Sequence, residues 1–361
     1  MADKVAVIGA GSWGTALASV LAGNGQDVRL WTRREDHAEE INHYHTNHNY
    51  LPGFQISEAV QAFTDLGSCT RDADYILLVV PAKAVRDMMK ELRPFMSEET
   101  VLIHASKGIE PGTSKRISEV IEEEQADAAA GSIVVLSGPS HAEEVCAEQP
   151  TTVTVSSNDT LAAEKVQGLF MNHYFRVYTN RDIIGVEIGG ALKNIIALGI
   201  GMTDGLGFGD NAKAAFMTRG LAEISRLGVT LGASPLTFNG LSGLGDLIVT
   251  CFSRHSRNRR AGEKIGNGAP LNDVLEEMGM VVEGVRTTKA VYELAKVQSV
   301  EMPITEALYE VLFEEVKPEE AVRQLMARER KHEEENMSLL LDPDFQEKWN
   351  ASRNNPGTDR Q

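Results

Sequence analysis

The sequence is poor in cysteine, and its few cysteines are not placed for a disulfide framework or a zinc site. They are odd in number, far apart and never spaced as CxxC: Cys69, Cys146 and Cys251. Disulfide-stapled domains and structural zinc sites both need paired or closely spaced cysteines. The pattern therefore predicts reduced thiols in a cytoplasmic protein.

One group of histidines lies close together in the chain, at His43, His45 and His48. Their spacing of i, i+2 and i+5 puts no clean pair on one helix face, and the asparagines around them favour a loop. We therefore expect no metal ion.

Positive charge is scarce. Lys and Arg total 35 against 52 Asp and Glu, and the formal net charge is -17. Such a surface repels phosphates, so we expect no nucleic-acid partner. A small anionic ligand could bind only where basic groups are gathered locally. Any basic cluster in this chain is therefore informative.

The sequence also lacks a long uninterrupted hydrophobic run. Residues 1–4 lead directly into a short apolar segment, so no secretory signal is expected. The longest apolar stretch, 183–202, is interrupted by Glu187, Lys193, Asn194 and five glycines. It is too polar for a lipid-facing span, and we expect no integral membrane segment.

The first half of the chain alternates between strand and helix patterns. Short apolar runs predict strands at 5–8, 28–32, 75–80, 100–106, 133–137, 151–156 and 174–178. Helical patterns fall between them at 15–23, 85–92, 114–124 and 162–171. This alternation predicts an α/β fold with a doubly wound, Rossmann-type parallel sheet.

The pattern changes after residue 181, where β-branched runs disappear. Helical periods predict helices at 183–202, 212–227, 272–279, 287–296, 305–313 and 318–326. We therefore expect a dinucleotide-binding domain at 1–180 and a mostly helical substrate and catalytic domain at 181–341. The polar residues 342–361 are expected to form a tail.

A glycine turn follows the first strand and opens the first helix. Gly9 permits the tight turn, Gly11 lets the backbone approach a pyrophosphate, and Gly14 lets helix and strand pack closely. The free N–H groups at the helix N-terminus would face the phosphates. This context predicts a dinucleotide site rather than a plain strand–helix turn.

The second strand ends in residues that bear on the choice of dinucleotide. An NAD site usually carries an acid near this point to bind the ribose hydroxyls. Here Arg33 and Arg34 come first and suit a 2′-phosphate, which favours acceptance of NADP. Glu35 keeps NAD possible. The alternative is a solvated pair of arginines.

Lys193 is the most informative single residue, because it is the only cation on a small, apolar predicted helix. Loss of hydration should move its pKa toward neutrality and suit it to exchange a proton with an alcohol or ketone oxygen. Asn194 could orient a hydroxyl or the lysine. Lys107 follows a predicted buried strand, at the edge where ligands bind in such sheets. For either lysine, an exposed surface position is the alternative.

A dense basic cluster at 253–260 stands out in this acidic chain. Arginine suits the bidentate binding of phosphate, and Arg257 is flanked by the hydrogen-bonding Ser256 and Asn258. A solvated charged face is the alternative. Nucleic acid is disfavoured because aromatic residues are not interleaved with the charges.

Together these motifs resemble bacterial NAD(P)-dependent glycerol-3-phosphate dehydrogenase over about residues 4–340. The matching stretches are VAVIGAGSWGTALA, ASKGIE, LSGPSHAEEV, EIGGALKNIIALGIGMTDGLGFGDNAKAAFMTRGLAE, LSGLGDLIVTC, SRNRRAGEKIG and VVEGVRTTKAV. The extended tail departs from the family pattern. The resemblance implies interconversion of dihydroxyacetone phosphate and sn-glycerol 3-phosphate, chiefly by reduction, which supplies the glycerophospholipid backbone.

The resemblance also implies roles for individual positions. Lys193 matches the proton-transfer residue, and Asp246 and Asn194 are expected to align it with the substrate. The implied substrate contacts are Lys107, Gly138, Ser140, Lys193, Asp246, Ser256, Arg257 and Asn258. The implied NAD or NADP contacts, beside the turn glycines, are Ser12, Trp13, Arg33, Arg34, Tyr50, Lys107, Ala142, Arg257, Val281 and Glu283.

Two other interpretations remain open from the sequence. One is an enzyme of the same architecture that acts on a 3-hydroxy acid or a sugar phosphate. The other is a dinucleotide sensor or scaffold, which would be expected to lack Lys193 or the basic cluster. Since dimers are the commonest assembly, a homodimer is the expected oligomer.

Overall fold

The computed structural model describes residues 2–125, 131–279 and 281–330. The tail predicted at 342–361 lies outside the described residues.

Eight strands of the described chain form one sheet in the spatial order β3-β2-β1-β4-β5-β6-β7-β8. They are β1 Lys4–Ile8, β2 Asp27–Trp31, β3 Val60–Phe63, β4 Tyr75–Leu78, β5 Val101–His104, β6 Ile133–Ser137, β7 Thr151–Ser156 and β8 Phe175–Asn180. Neighbouring strands are parallel except for β6 and β7. The predicted α/β, Rossmann-type architecture is confirmed.

Helices cover both faces of this sheet and form the region that follows it. Those that accompany the strands are α1 Ser12–Gly23, α2 Glu35–Tyr44, α3 Leu66–Thr70, α4 Val85–Leu92, α5 Ile117–Gln125, α6 Ala142–Cys146 and α7 Thr160–Phe170. Those that follow are α8 Ile183–Gly205, α9 Asp210–Thr230, α10 Asp246–Phe252, α11 Arg257–Gly266, α12 Leu271–Met278, α13 Glu283–Val297, α14 Pro303–Phe313 and α15 Pro318–Met326.

The apolar strands of the sheet are buried on both faces. In β1, Val5 and Val7 belong to one core cluster, while Ala6 and Ile8 belong to another on the opposite side. This follows from the two-residue repeat of a strand, which sends successive side chains to opposite faces. It also explains why these strands read as continuous apolar runs.

The sheet differs from the sequence prediction in two respects. The all-parallel expectation is wrong at one pair, since Leu136 of β6 opposes Val155 of β7 in antiparallel register. The strand β3 and helix α2 were not predicted. β3 has only four residues, with Gln61 exposed, and α2 buries only His37, Ala38 and Ile41 among polar neighbours.

Several helix boundaries also differ. Helix α1 begins at Ser12 rather than residue 15, so the glycine turn leads directly into it. Helix α5 begins at Ile117 rather than residue 114. Helix α8 runs three residues past 202, to Gly205. The pattern at 253–260 also continues into a helix, α11, that periodicity did not reveal.

Helix α8 is the centre of the helical region. It is long and apolar enough to span a membrane, but 94% of its most apolar window is buried inside the protein, as in a core helix. Its backbone approaches α11 closely. A Cβ on Gly201 would lie 2.0 Å from the carbonyl oxygen of Arg259, and one on Gly262 would lie 1.9 Å from that of Leu198.

Candidate active site

Three side chains from distant parts of the sequence meet in a buried ion-pair cluster. Lys193 lies in the middle of α8, Lys107 follows the carboxyl end of β5, and Asp246 begins α10. Lys193 Nζ donates to Asp246 Oδ1, and Lys107 Nζ donates to Asp246 Oδ2 at 2.7 Å. Lys193 is 7% exposed and Asp246 is fully buried. One carboxylate therefore holds two lysine amino groups side by side.

Thr250 completes the contacts of the central lysine. Lys193 Nζ donates to Thr250 Oγ1 at 2.8 Å, and that hydroxyl donates to the backbone oxygen of Asp246 at 2.6 Å. Sequence reasoning missed Thr250. A signal was available, because residues four apart on a helix share a face and Thr250 is four residues after Asp246.

The surroundings of Lys193 favour its neutral form. Burial lowers the pKa of Lys193 to about 7 against the opposing effect of Asp246, and the charge of Lys107 lowers it further. The direction is the one expected for a lysine on an apolar helix. A lysine with a pKa near neutrality can both donate and accept a proton under physiological conditions.

Lys107 also connects the cluster to the turn after β6. Its Nζ donates to the carbonyl oxygen of Gly138 at 3.3 Å, and Ser140 Oγ donates to the same oxygen at 3.1 Å. Gly138 has φ +143°, and a Cβ there would lie 3.0 Å from Val153 Cα. The predicted substrate residues of the β5 and β6 ends are thus brought together.

His141 lies beside this turn and was not singled out from the sequence. Burial lowers its pKa, and the neighbouring charge of Lys193 also lowers it. Its Nε2 lies 3.5 Å from the carbonyl oxygen of Val249. This carbonyl belongs to α10, the helix that supplies Asp246, so His141 borders the cluster on its β6 side.

Asn194 is not placed to hold the lysine. Its Oδ1 accepts from Asn258 Nδ2 at 2.9 Å, and Asn258 Oδ1 accepts from the backbone N–H of Gly284 at 2.8 Å. The contacts of Lys193 are made by Asp246 and Thr250 instead. The two asparagines join α8, α11 and the start of α13. Glu283 is the first residue of α13, and Val281 lies two residues before it.

Arg257 lies exposed at the first position of α11, and Ser256 caps that helix by accepting from the N–H of Arg259 at 3.3 Å. Arg259 points elsewhere, because its guanidinium forms an ion pair with Asp204 at 2.7 Å. The basic cluster therefore divides, with one arginine committed to a structural pair and Arg257 open to solvent.

Glu283 lies near Arg257 and near Gly108, the residue that follows Lys107. Burial raises the pKa of Glu283, while the charges of Arg286, Arg257 and Lys83 lower it. A Cβ on Gly108 would lie 3.7 Å from a Glu283 carboxylate oxygen. The start of α13 thus faces the segment that carries Lys107.

The glycine turn has the shape that a dinucleotide requires. Gly9 has φ +121°, and a Cβ there would lie 2.4 Å from the carbonyl oxygen of Val79. A Cβ on Gly14 would lie 1.9 Å from the carbonyl oxygen of Gly9, whereas one on Gly11 would meet nothing within 4 Å. In the part of the chain that the structure describes, no side chain caps α1, so its first N–H groups face this open space. The residues present therefore fit a pyrophosphate.

Other predicted cofactor residues differ in burial and in hydrogen bonding. Trp13 lies on the first turn of α1, and its buried indole N–H has no hydrogen-bond partner among the described residues. Arg33 is exposed, and the Arg34 guanidinium donates to both carboxylate oxygens of Asp36 at 3.0 and 2.7 Å. Tyr50 is 38% exposed. Ala142, at the start of α6, is buried.

The described residues contain no group of three or more His, Cys, Asp or Glu side chains that could hold a metal ion. His43 lies on α2 rather than in a loop, and His48 Nδ1 pairs with Glu40 at 2.9 Å. The three cysteines are free, and burial raises the pKa of each thiol to about 12. None of the thiols is activated as a nucleophile.

A Rossmann-type sheet, a phosphate-binding glycine turn and a buried lysine of lowered pKa define a dinucleotide-dependent oxidoreductase. The chain belongs to the NAD-dependent glycerol-3-phosphate dehydrogenase family. The family models described as the N-terminus and C-terminus of NAD-dependent glycerol-3-phosphate dehydrogenase match residues 4–163 and 182–323.

Individual relatives agree with this assignment. The chain is 61% identical over 338 residues to glycerol-3-phosphate dehydrogenase [NAD(P)+] from Bacillus cereus (strain B4264). The aligned region covers 94% of this chain and 99% of the relative. It is 59% identical over 336 residues to the Shouchella clausii protein of the same name, covering 93% and 99%. The crystal structure of the Coxiella burnetii glycerol-3-phosphate dehydrogenase superposes with a TM-score of 0.86 at 39% identity, covering 91% and 99%.

Proposed function

We propose that this protein catalyses the reversible reduction of dihydroxyacetone phosphate to sn-glycerol 3-phosphate with NADH or NADPH. The observation that carries the proposal is the buried cluster of Lys193, Asp246 and Lys107, which lies beside the dinucleotide fold. Reduction of a ketone needs a hydride on carbon and a proton on oxygen. A nicotinamide cofactor, when bound, supplies the hydride.

Lys193 supplies the proton in this mechanism. As an ammonium group it donates a proton to the substrate oxygen, and in the reverse reaction the neutral amine takes the hydroxyl proton. Asp246 and Thr250 fix the direction of its Nζ through two hydrogen bonds. The lowered pKa, about 7, makes both transfers accessible near neutral pH.

Lys107 and Arg257 serve the charged parts of the substrate. Lys107 is held at the cluster by Asp246 and by the Gly138 carbonyl, so its charge faces the reacting centre. Arg257 begins a helix, where its guanidinium and the helix N-terminus both attract a phosphate. Ser140, Ser256 and Asn258 supply further hydrogen-bonding groups around the same site.

The proposed cofactor contacts lie on the glycine turn and on the arginines that follow β2. The backbone N–H groups of the first α1 turn, beginning with that of Ser12, bind the pyrophosphate, and Trp13 lies next to the pyrophosphate. Arg33 binds a 2′-phosphate, while Arg34 is held by Asp36 and shapes the segment. The exposed Arg33 accounts for acceptance of NADPH, and the turn serves both dinucleotides.

The test is a substrate panel. The purified chain is assayed for NADH and NADPH oxidation with dihydroxyacetone phosphate, with other phosphorylated ketones and with carboxylated ketones. We expect the highest kcat/KM for dihydroxyacetone phosphate. Preference for a 2-keto or 3-keto acid would support the alternative enzyme of the same architecture. Cofactor binding without turnover of any ketone would support a sensor.

The domain organisation and assembly are also proposals. We place a dinucleotide-binding domain at 1–180 and the substrate domain at 181–341, since the sheet ends at Asn180 and α8 begins at Ile183. We further propose a cytoplasmic homodimer. Light scattering coupled to gel filtration should return twice the mass of one chain, and a single-chain mass would reject the dimer.

A further inference from the structure

A buried network of hydrogen-bonded polar side chains lies behind the glycine turn. Thr32 Oγ1 lies 2.9 Å from His37 Nδ1, and His37 Nε2 lies 3.0 Å from Asn47 Oδ1. Asn47 Nδ2 then donates to the carbonyl oxygen of Ala10 at 3.0 Å and to Thr15 Oγ1 at 2.8 Å. Asn47 and Thr15 are fully buried, and His37 is 3% exposed.

The hydrogen bonds of this polar network have a defined direction. Asn47 donates both N–H groups of its amide, to the carbonyl oxygen of Ala10 and to Thr15 Oγ1. Its amide oxygen must therefore accept from His37 Nε2. His37 Nδ1 is then free to accept from the Thr32 hydroxyl. Because every member is buried, losing one leaves its partners without a hydrogen bond and out of reach of water.

The polar network joins the separate segments proposed to contact the dinucleotide. Ala10 lies in the turn, between Gly9 and Gly11. Thr32 directly precedes Arg33. Tyr50 follows in the loop that Asn47 begins, with its ring 5.6 Å from that of His37. Asn47 also accepts from the N–H of Leu51 at 2.7 Å, so its own backbone anchors that loop.

We propose that Asn47 is a positioning residue for the cofactor and that His37 holds its amide in the required orientation. Asn47 acts through the Ala10 carbonyl: by fixing that peptide, it fixes the direction of the turn's N–H groups toward the pyrophosphate. It also keeps the turn in register with the Arg33 segment and the Tyr50 loop. The proposal rests on the proposed use of this turn as a dinucleotide site.

Binding, rather than activity, is the first readout of the test. The full chain and its variants are titrated with NADH and with NADPH by isothermal titration calorimetry. Asn47→Ala should raise both dissociation constants by about tenfold, and by similar factors, because the pyrophosphate is common to both cofactors. Arg33→Gln is the matched control and should weaken NADPH alone.

A second pair of variants separates positioning from general damage to the fold. His37→Gln can still donate to Asn47 Oδ1 and should bind both cofactors nearly as the wild type does. His37→Leu cannot donate and should behave like Asn47→Ala. At saturating cofactor, kcat and the KM for dihydroxyacetone phosphate should change less than about threefold in the Asn47 and His37 variants.

Three outcomes overturn the proposal. They are unchanged cofactor affinity in Asn47→Ala and His37→Leu, equal loss in His37→Gln and His37→Leu, and a fall in kcat that parallels the loss of binding. If the wild type binds both cofactors and the variants follow the expected pattern, but no dihydroxyacetone phosphate is reduced, then the positioning role stands and the proposed function fails.

Discussion

Lys193 and Lys107 are held at the two oxygens of one carboxylate, that of Asp246. The sequence separates these three residues widely, and the fold brings them together where the carboxyl end of β5 meets α8 and α10. The pairing places two lysine amino groups at one point in an acidic protein. It thereby reconciles a net charge of -17 with an anionic substrate.

The lowered pKa of Lys193 predicts how activity depends on pH. Reduction needs the ammonium form, so kcat/KM for dihydroxyacetone phosphate should fall as pH rises through about 7. Oxidation of glycerol 3-phosphate needs the neutral amine and should rise through the same range. Because Asp246 raises the pKa of Lys193, Asp246→Asn should shift both limbs to lower pH. If the pH profiles of this variant did not shift, ionisation of Lys193 would not be what sets them.

Arg257 predicts a defect in substrate capture. Arg257→Ala should raise the KM for dihydroxyacetone phosphate by about tenfold or more, because a charge-assisted pair to phosphate contributes about 1.5–3 kcal/mol. Its neighbour Arg260, also exposed, provides the control, and Arg260→Ala should leave KM near the wild-type value. Steady-state kinetics at saturating cofactor measure both. Equal KM values in the two variants would argue against the phosphate contact.

Glu223 predicts a pH-dependent term in stability. Its buried carboxylate accepts from the N–H groups of Ile304 at 2.6 Å and Thr305 at 3.1 Å, at the start of α14. Burial raises the pKa of Glu223 to about 7, so the folded state favours its protonated form. This group's contribution is full below its unfolded pKa and is lost as pH rises through about 7.

Glu223→Gln tests that sign, because glutamine cannot ionise. Urea unfolding of the wild type and the variant is compared between pH 5 and pH 8. The free energy of unfolding of the wild type should fall relative to that of the variant as pH rises. A difference between the two proteins that stays constant over this range would contradict the assignment.

The sequence predicted features that depend on local chemistry. Lys193 stood out because a lone cation on an apolar helix is unusual wherever that helix packs. The turn glycines were recognisable because each answers a local backbone requirement. The antiparallel pairing of β6 with β7 was not predictable, because the residue pattern of a buried strand does not reveal the direction of its neighbour.

Features that depend on tertiary pairing could not be derived in the same way. Asn194 pairs with Asn258, 64 residues away, so its place beside Lys193 in the sequence was a poor guide to its role. The division of the basic cluster depends on Asp204, which binds Arg259 and leaves Arg257 exposed. Helix α2 buries its His37 in a polar network that only the folded loop at Asn47 explains.

The turnover of Lys193→Ala with dihydroxyacetone phosphate, measured with NADH and with NADPH, tests most directly whether Lys193 is the proton donor. General acid catalysis contributes about 10²–10⁴ in rate, so kcat should fall by that order while cofactor affinity stays near that of the wild type. Lys289→Ala, which removes an exposed lysine of α13, should leave kcat unchanged. Near-normal turnover of Lys193→Ala would contradict the role of Lys193 as the proton donor.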